Sequence, residues 1–341
     1  MTLPVERVDG LEAEWDGFVR KQPGWSHFHL YGWRRVIGEV FGHDCPYLAA
    51  RSSDGALVGV LPLVHVQSRV FGRFLVSMPF VNYGGPLGSD DAVRALTTAA
   101  IEHARCSDDR LLELRSRHSL PIDAAASHRK ITVTRELPAT SDLLWKSLDA
   151  KVRSQIRRPQ KAGVTLRSGP GEIAAFFRVF SQHMRDLGTP TQSRRLFETV
   201  GEVFGDDVVF TCAYLGERPI AAGCGIRWGA EFEMTWASSL VEFKSLSANM
   251  LLYWGMMERA IASNVTTFNF GRCTTGSGTH RFKQQWGGRD EQLWWYHVSD
   301  RGVVKSPSPD DAAYSWGPKI WKRLPVAVAT RLGPRIVRYI P

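Results

Sequence analysis

Apolar side chains recur along this chain in blocks, some at helical spacing and some alternating or continuous as in strands. Residues 11–20 form a short amphipathic helix, and Leu30, Trp33, Ile37 and Val40 mark the inner face of a second one. Two apolar or alternating runs, 45–51 and 56–67, flank a polar turn at 52–55 and predict a β-hairpin. RVFGRFLVSMPF at 69–80 continues the β pattern up to the turn-rich NYGGPLG at 82–88. A helix over 92–105, a buried strand over 111–115 and a strand over 131–137 follow, and a proline-containing connector occupies 138–142.

From residue 143 the pattern changes. LLWKSLDAKVRSQIRRPQKAG, residues 143–163, predicts a basic helix ended by Gly163, with a kink or break at Pro159. A strand at 164–167, helices at 172–187 and 194–204, and a strand at 208–215 come next. After the GERP turn at 216–219, two more strands run over 220–228 and 231–238, and Ser247 caps a helix over 248–262. An apolar strand at 267–270 then delivers an Arg-bearing turn at Gly271 and Arg272. A loop of small hydroxyl and glycine residues, 274–279, leads to a second strand-like region through Trp286, and a last strand spans 292–298. The coarse order of the first half recurs in the second. It predicts two mixed α/β domains of related plan, 1–142 and 143–300, with a tail at 301–341. A chain of 341 residues fits that division, since single cores rarely grow past roughly 250 residues.

Composition alters this picture in one respect. The apolar content of 43% and charged content of 23% are ordinary for globular proteins, but the formal charge of +9 biases partners toward anions. Five scattered cysteines without CxxC spacing predict a reduced, intracellular chain without a metal site. The start lacks a secretory pattern, and no apolar run is long enough to span a bilayer. The expectation is a cytoplasmic protein, at the inner membrane face if the tail engages lipid.

Several residue groups carry candidate chemistry. Arg153, Arg157 and Lys161 recur at i, i+4 and i+8, a cationic stripe suited to a diphosphate or RNA backbone, or else a solvated face. Asn82 and Tyr83 bring hydrogen-bonding groups beside a tight Gly84–Gly85–Pro86 turn that is equally an ordinary β-turn. His183 sits near a helix end, as a general base or as a C-terminal histidine favoured by the helix dipole. The 276–279 loop offers backbone N–H groups, with Thr279 as a substrate contact. No nucleotide-binding loop, zinc-protease helix or nucleophile elbow is present, and Cys273 has no evident partner base.

Taken in order, SMPFVNYGGP (77–86), RSQIRRPQKAGV (153–164), LGTP (187–190) and FNFGRCTTGSGTHRFKQQWGG (268–288) resemble the FemAB-type acyltransferases. Within them the chain resembles the FemAB-like proteins associated with exosortase and PEP-CTERM exopolysaccharide systems. The resemblance implies a tandem pair of GNAT-like domains. It also implies an enzyme moving an activated acyl or aminoacyl group onto an amine of a cell-envelope, peptidoglycan or exopolysaccharide precursor. It places acyl transfer at Lys283 and substrate phosphates on Arg153, Arg157 and Lys161, and Arg272 beside the glycine-rich loop is a further candidate for charge stabilisation. No cofactor is held permanently, and the donor, an aminoacyl-tRNA or an acyl thioester, is a co-substrate. Two departures bear on that donor. The long charged hairpin of tRNA-dependent members is missing, and FKSLSAN at 243–249 replaces the pyrophosphate loop of acetyl-CoA enzymes.

The implied partners are an anionic phosphate-bearing or lipid-linked precursor, with tRNA or an acyl carrier protein as donor. A CoA- or carrier-dependent N-acyltransferase is the near alternative, and a non-catalytic module binding anionic glycan or RNA the distant one. In the tail, Lys319, Lys322, Arg323, Arg331, Arg335 and Arg338 alternate with large apolar residues. That pattern predicts an interfacial helix broken by Pro325 and Pro334, or a helix docked on the first domain.

Overall fold

The sheet-forming and helix-forming blocks sort into two bodies in the computed structural model, which describes residues 3–68, 72–299 and 316–340. The first part of the chain runs β1 (Val5–Arg7), α1 (Glu12–Val19), α2 (Gly32–Phe41), β2 (Leu48–Arg51), β3 (Leu57–Leu61), β4 (Val64–Ser68), β5 (Gly72–Val76), β6 (Leu87–Gly88), α3 (Asp90–Cys106), β7 (Leu111–Ser116) and β8 (Ala126–Ser127). It continues with β9 (Lys130–Glu136), α4 (Ser141–Ser147), α5 (Ala150–Lys161), β10 (Val164–Ser168), α6 (Ile173–Leu187), α7 (Arg194–Phe204), β11 (Val208–Leu215), β12 (Arg218–Trp228), β13 (Glu231–Ser239) and α8 (Ala248–Ala262). The remainder is β14 (Thr267–Thr274), α9 (Gly278–Gln284), β15 (Arg289–Gln292), β16 (Trp294–Val298), α10 (Trp316–Trp321) and α11 (Val326–Val337).

Packing divides the described residues into one unit drawn from 1–131, 291–299 and 338–340, and another drawn from 132–290 and 316–337. The expected boundary at 142 and 143 rests on the connector. The packing division instead follows sheet membership, since β9 enters the second unit's sheet and β16 the first unit's.

The first unit holds a sheet of order β1-β2-β3-β6 and another of order β4-β5-β7-β16-β8. Ser89 caps α3 by accepting from Ala92 N, and Asp90 and Asp91 favour its first turn. The buried face of α3, with Leu96 and Ala100, packs on β2 and β3. The 77–86 segment is tied to β7: Gly84 N donates to Arg115 O, and the buried Arg115 guanidinium pairs with Glu113 at 2.6 Å. Residues 338–340 belong here, with the His43 ring N–H donating to Arg338 O at 2.6 Å.

The second unit is built on a sheet of order β10-β11-β12-β13-β14-β9-β15. β10 to β13 form an antiparallel meander, and β13 pairs with β14 in parallel. Phe210 of β11 packs edge-on against Phe176 of α6, whereas Gly223, one row along the ladder, faces Leu252 of α8. Side-chain alternation therefore puts α6 and α7 on one face and α8 on the other.

Three local expectations change. Pro159 does not break α5, because it lies within the last turn and the helix runs on to Lys161. The segment after β14 is helical rather than a loop and strand. Ser277 caps α9 by accepting from His280 N, and His280 Nδ1 accepts from Gly276 N at 3.0 Å. In the tail, Pro325 precedes α11 and Pro334 lies inside it. α10 and α11 pack on α6 of the second unit, where Arg185 donates to Leu324 O and Gly188 abuts Pro318. Among the described residues no helix is long and apolar enough to cross a membrane, and no group of side chains could hold a metal ion.

Candidate active site

Strands β13 and β14 begin as parallel partners and then part. Their ladder covers only Glu231–Glu233 against Thr267–Asn269, although β13 continues to Ser239 and β14 to Thr274. The divergence starts where the sequence places Asn269, Phe270 and Gly271. Gly271 adopts the left-handed conformation at φ 74°, which costs an L side chain roughly 1–2 kcal/mol.

Side chains hold that bend open. Asn269 Oδ1 accepts from Gly271 N at 2.8 Å and from Thr132 Oγ1 at 2.6 Å, while Asn269 Nδ2 donates to Glu231 Oε1 at 2.7 Å. Lys283 Nζ donates to Gly271 O at 2.6 Å and to Arg272 O at 3.0 Å. Both backbone polar groups of the bent residue are thus taken by side chains instead of by the β13 ladder. Lys283 is 3% exposed, and burial lowers its pKa to about 8, with Cys273 and Glu233 working in the opposite direction. It remains mostly cationic at neutral pH.

A second irregularity lies on β13. Its register against β12 slips between Cys224 and Gly225, which pair with Trp236 and Met234. Thr235 is therefore the extra residue of a β-bulge, a feature that re-aims side chains and backbone near active sites.

A cavity of about 240 Å³, the wedge, opens at the end of β13, past the stretch that pairs with β14. It is lined by His183 of α6, Ala237, Ser238 and Ser239 of β13, Asn249, Leu252 and Tyr253 of α8, and Gly278, Thr279 and Phe282 around α9. A neighbouring cavity of about 270 Å³ shares His183, Ser239 and Asn249, so the two are adjacent parts of one groove. Burial is the main cause that lowers the pKa of His183, Asp186 partly offsetting it, and its buried Nδ1 accepts no hydrogen bond within the described residues. A neutral imidazole lining the cavity can take a proton. Burial, with a smaller effect from Cys273, pushes the Tyr253 phenol up, so it stays protonated.

The sequence-predicted residues fall into three places. His183 and Thr279 meet in the wedge. Arg153, Arg157 and Lys161 line an exposed depression of about 450 Å³ along α5, where Arg153 donates to Leu148 O and Arg157 lies over Trp145 at 5.0 Å. Lys283 and Arg272 lie at the β14 bend, and neither is among the side chains lining the wedge. Asn82 and Tyr83 belong to the first unit, where Tyr83 is fully buried and packs edge-on against Phe28. Tyr253, Asn249 and the Ala237–Ser239 run were not singled out from sequence. Their one signal is the set of three small residues ending a strand, which leaves room for a ligand.

The family of acetyltransferase (GNAT) domains matches residues 146–284, which include the wedge and the basic helix. The chain carries a GNAT acetyltransferase domain. It is an enzyme of the acyltransferase class. Among curated proteins no sequence matches. The chain is similar in structure to FemX at 15% identity, covering 87% of this chain and 98% of that one with a TM-score of 0.66. It is similar to L-PGS from Bacillus licheniformis at 11% identity, covering 98% of each chain with a TM-score of 0.57. It is also similar to a tandem GNAT protein from the clavulanic acid biosynthesis pathway, at 14% identity, 89% and 100% coverage, and a TM-score of 0.50. At these identities the likeness is one of fold: two GNAT-like units of mixed sheet and flanking helices in one chain.

Proposed function

We propose that the protein transfers an activated acyl or aminoacyl group to an amine on a cell-envelope or exopolysaccharide precursor. The reading stands on the early end of the β13–β14 ladder together with a lined cavity at the end of β13. Beyond Glu233 the β14-facing backbone groups of β13 lie outside the β13–β14 ladder, leaving preorganised donors for a developing oxyanion. One such donor contributes roughly 10²–10³ in rate.

In this reading the acceptor amine attacks the carbonyl carbon of the donor ester or thioester. The C–N bond forms, the ammonium proton passes to the His183 imidazole, and the C–O or C–S bond breaks with its electron pair leaving on oxygen or sulfur. Tyr253, held protonated, offers a proton to that leaving group. Lys283 acts through the β14 bend and Arg272 adds positive charge at that bend, while Thr279 and Asn249 contact substrate. The cationic face of α5 supports an anionic substrate, with Arg153, Arg157 and Lys161 meeting its phosphates. In the first unit Asn82 and Tyr83 serve substrate binding indirectly, by shaping the 77–86 segment.

The resemblance to FemAB-type enzymes, including those of exosortase and PEP-CTERM systems, favours an aminoacyl-tRNA or acyl thioester donor. The segment before α8 supports a donor other than acetyl-CoA in its usual pose. It is a short 3₁₀ turn, Val241–Leu246, followed by Ser247 in the left-handed region. The test is a transfer assay in which purified protein receives labelled aminoacyl-tRNA, acyl carrier protein thioester or acyl-CoA together with amine acceptors. Label recovered in an amide of the acceptor is the expected result. Donor binding or retention with no amide from any donor would count against a transferase and for a binding module.

A further inference from the structure

We propose that the outward face of α10 and α11 is a docking surface for an anionic phospholipid bilayer. A helix docked by one face ordinarily turns its large apolar residues inward and its polar residues to water. α11 does the reverse. Its buried positions are the small Ala329 and Gly333, and a Cβ at Gly333 would come within 2.7 Å of Thr191 N, so only glycine permits this approach. The larger Val328, Leu332 and Ile336 are 40%, 38% and 38% exposed, at i, i+4 and i+8 on one stripe. Ile320 of α10 is exposed as well, at 54%.

The charge around this stripe is of one sign. Arg331 and Arg335 are exposed, and at 3.6 residues per turn they border the stripe within one arc of roughly 140°. Lys319, Lys322 and Arg323 are exposed on and just after α10, and residues 316–340 contain no Asp or Glu. Single exposed apolar residues are common, but four of them set among five cations match an acyl–headgroup boundary with anionic lipid. A polyanion such as RNA would use the cations and leave Leu332 and Ile336 in water. A second copy of the chain would bring like charges together. The anionic bilayer alone satisfies both features.

The test is sedimentation of the full chain with vesicles of phosphatidylcholine, with and without phosphatidylglycerol. Pelleting is expected with the anionic vesicles and weakens as salt is added. R331Q/R335Q should lower the partition coefficient about fivefold per charge, roughly 25-fold in all, and L332E/I336E at least as much. All four positions are exposed, so thermal melting should match the wild type. If the glutamate variant misfolds, the glutamine variant still decides. Equal pelleting with neutral and anionic vesicles, or wild-type partition in R331Q/R335Q, would overturn the proposal. So would a concentration-dependent dimer in light scattering that L332E dissolves, which would assign the stripe to a second copy. The readout is lipid partition, so its failure leaves the transferase reading untouched.

Discussion

Two ionisable side chains near the wedge have pKa values displaced by burial, and the displacements define a pH window for turnover. His183 is neutral at pH 7 and protonates below the 6.5 of an ordinary histidine, where it no longer accepts the amine proton. Lys283 carries its charge at pH 7 and loses it near 8, where its two bonds to the β14 carbonyls weaken. The rate of transfer should therefore rise through an acid limb below 6.5 and fall through an alkaline limb near 8. His183→Gln should remove the acid limb along with most turnover, and Lys283→Arg should move the alkaline limb upward. An acid limb unchanged in His183→Gln would take the base role away from this residue. The sequence placed His183 beside a turn but could not show its burial, because α6 and the β13 end that cover it are brought together only by the fold.

At the scale of elements, the bend in β14 depends on a few side chains. Lys283→Met would leave the carbonyls of Gly271 and Arg272 without their cation, at a cost of about 2–4 kcal/mol by the usual penalty for buried unpaired groups. Gly271→Ala would add about 1–2 kcal/mol of left-handed strain. Urea unfolding measures both, and a change under 0.5 kcal/mol in each variant would show that the bend is held by something else. The resemblance assigns Lys283 to acyl transfer; its position under the bend adds a stability role. The FNFGR…FK pattern was legible as a motif, and its physical content is this clamp. The helix α9 was not legible as a helix. Thr274 to Thr279 look like pure loop, and the Ser277 cap becomes meaningful only with the Phe282 and Trp286 face packing beside Tyr253.

For the whole molecule, the block order predicted the two-unit plan, and both units have the GNAT-like fold. Neighbouring segments pack together through most of the chain, so local patterns carried most of that information. Among the pairings that skip along the chain, those of β9 and β16 are the hardest to read, because neither strand's short pattern says which sheet it joins. Nothing in KITVTRE says that it joins the sheet containing β14, and nothing in WWYHV says that it pairs with β7. The tail was legible as basic and amphipathic, whereas its inverted docking depends on which face the small residues occupy.

On the proposed function, acyl transfer takes place in the wedge at the end of β13. Ala237, on the wedge wall and half-buried, is the position that tests it most directly. Ala237→Trp would fill the cavity from a side chain that holds no part of the core. The kcat/KM for amide formation should fall at least about 100-fold below wild type, the scale of loss expected when reactants are misplaced, with an unchanged melting temperature. Transfer within twofold of wild type by a folded Ala237→Trp protein would contradict it.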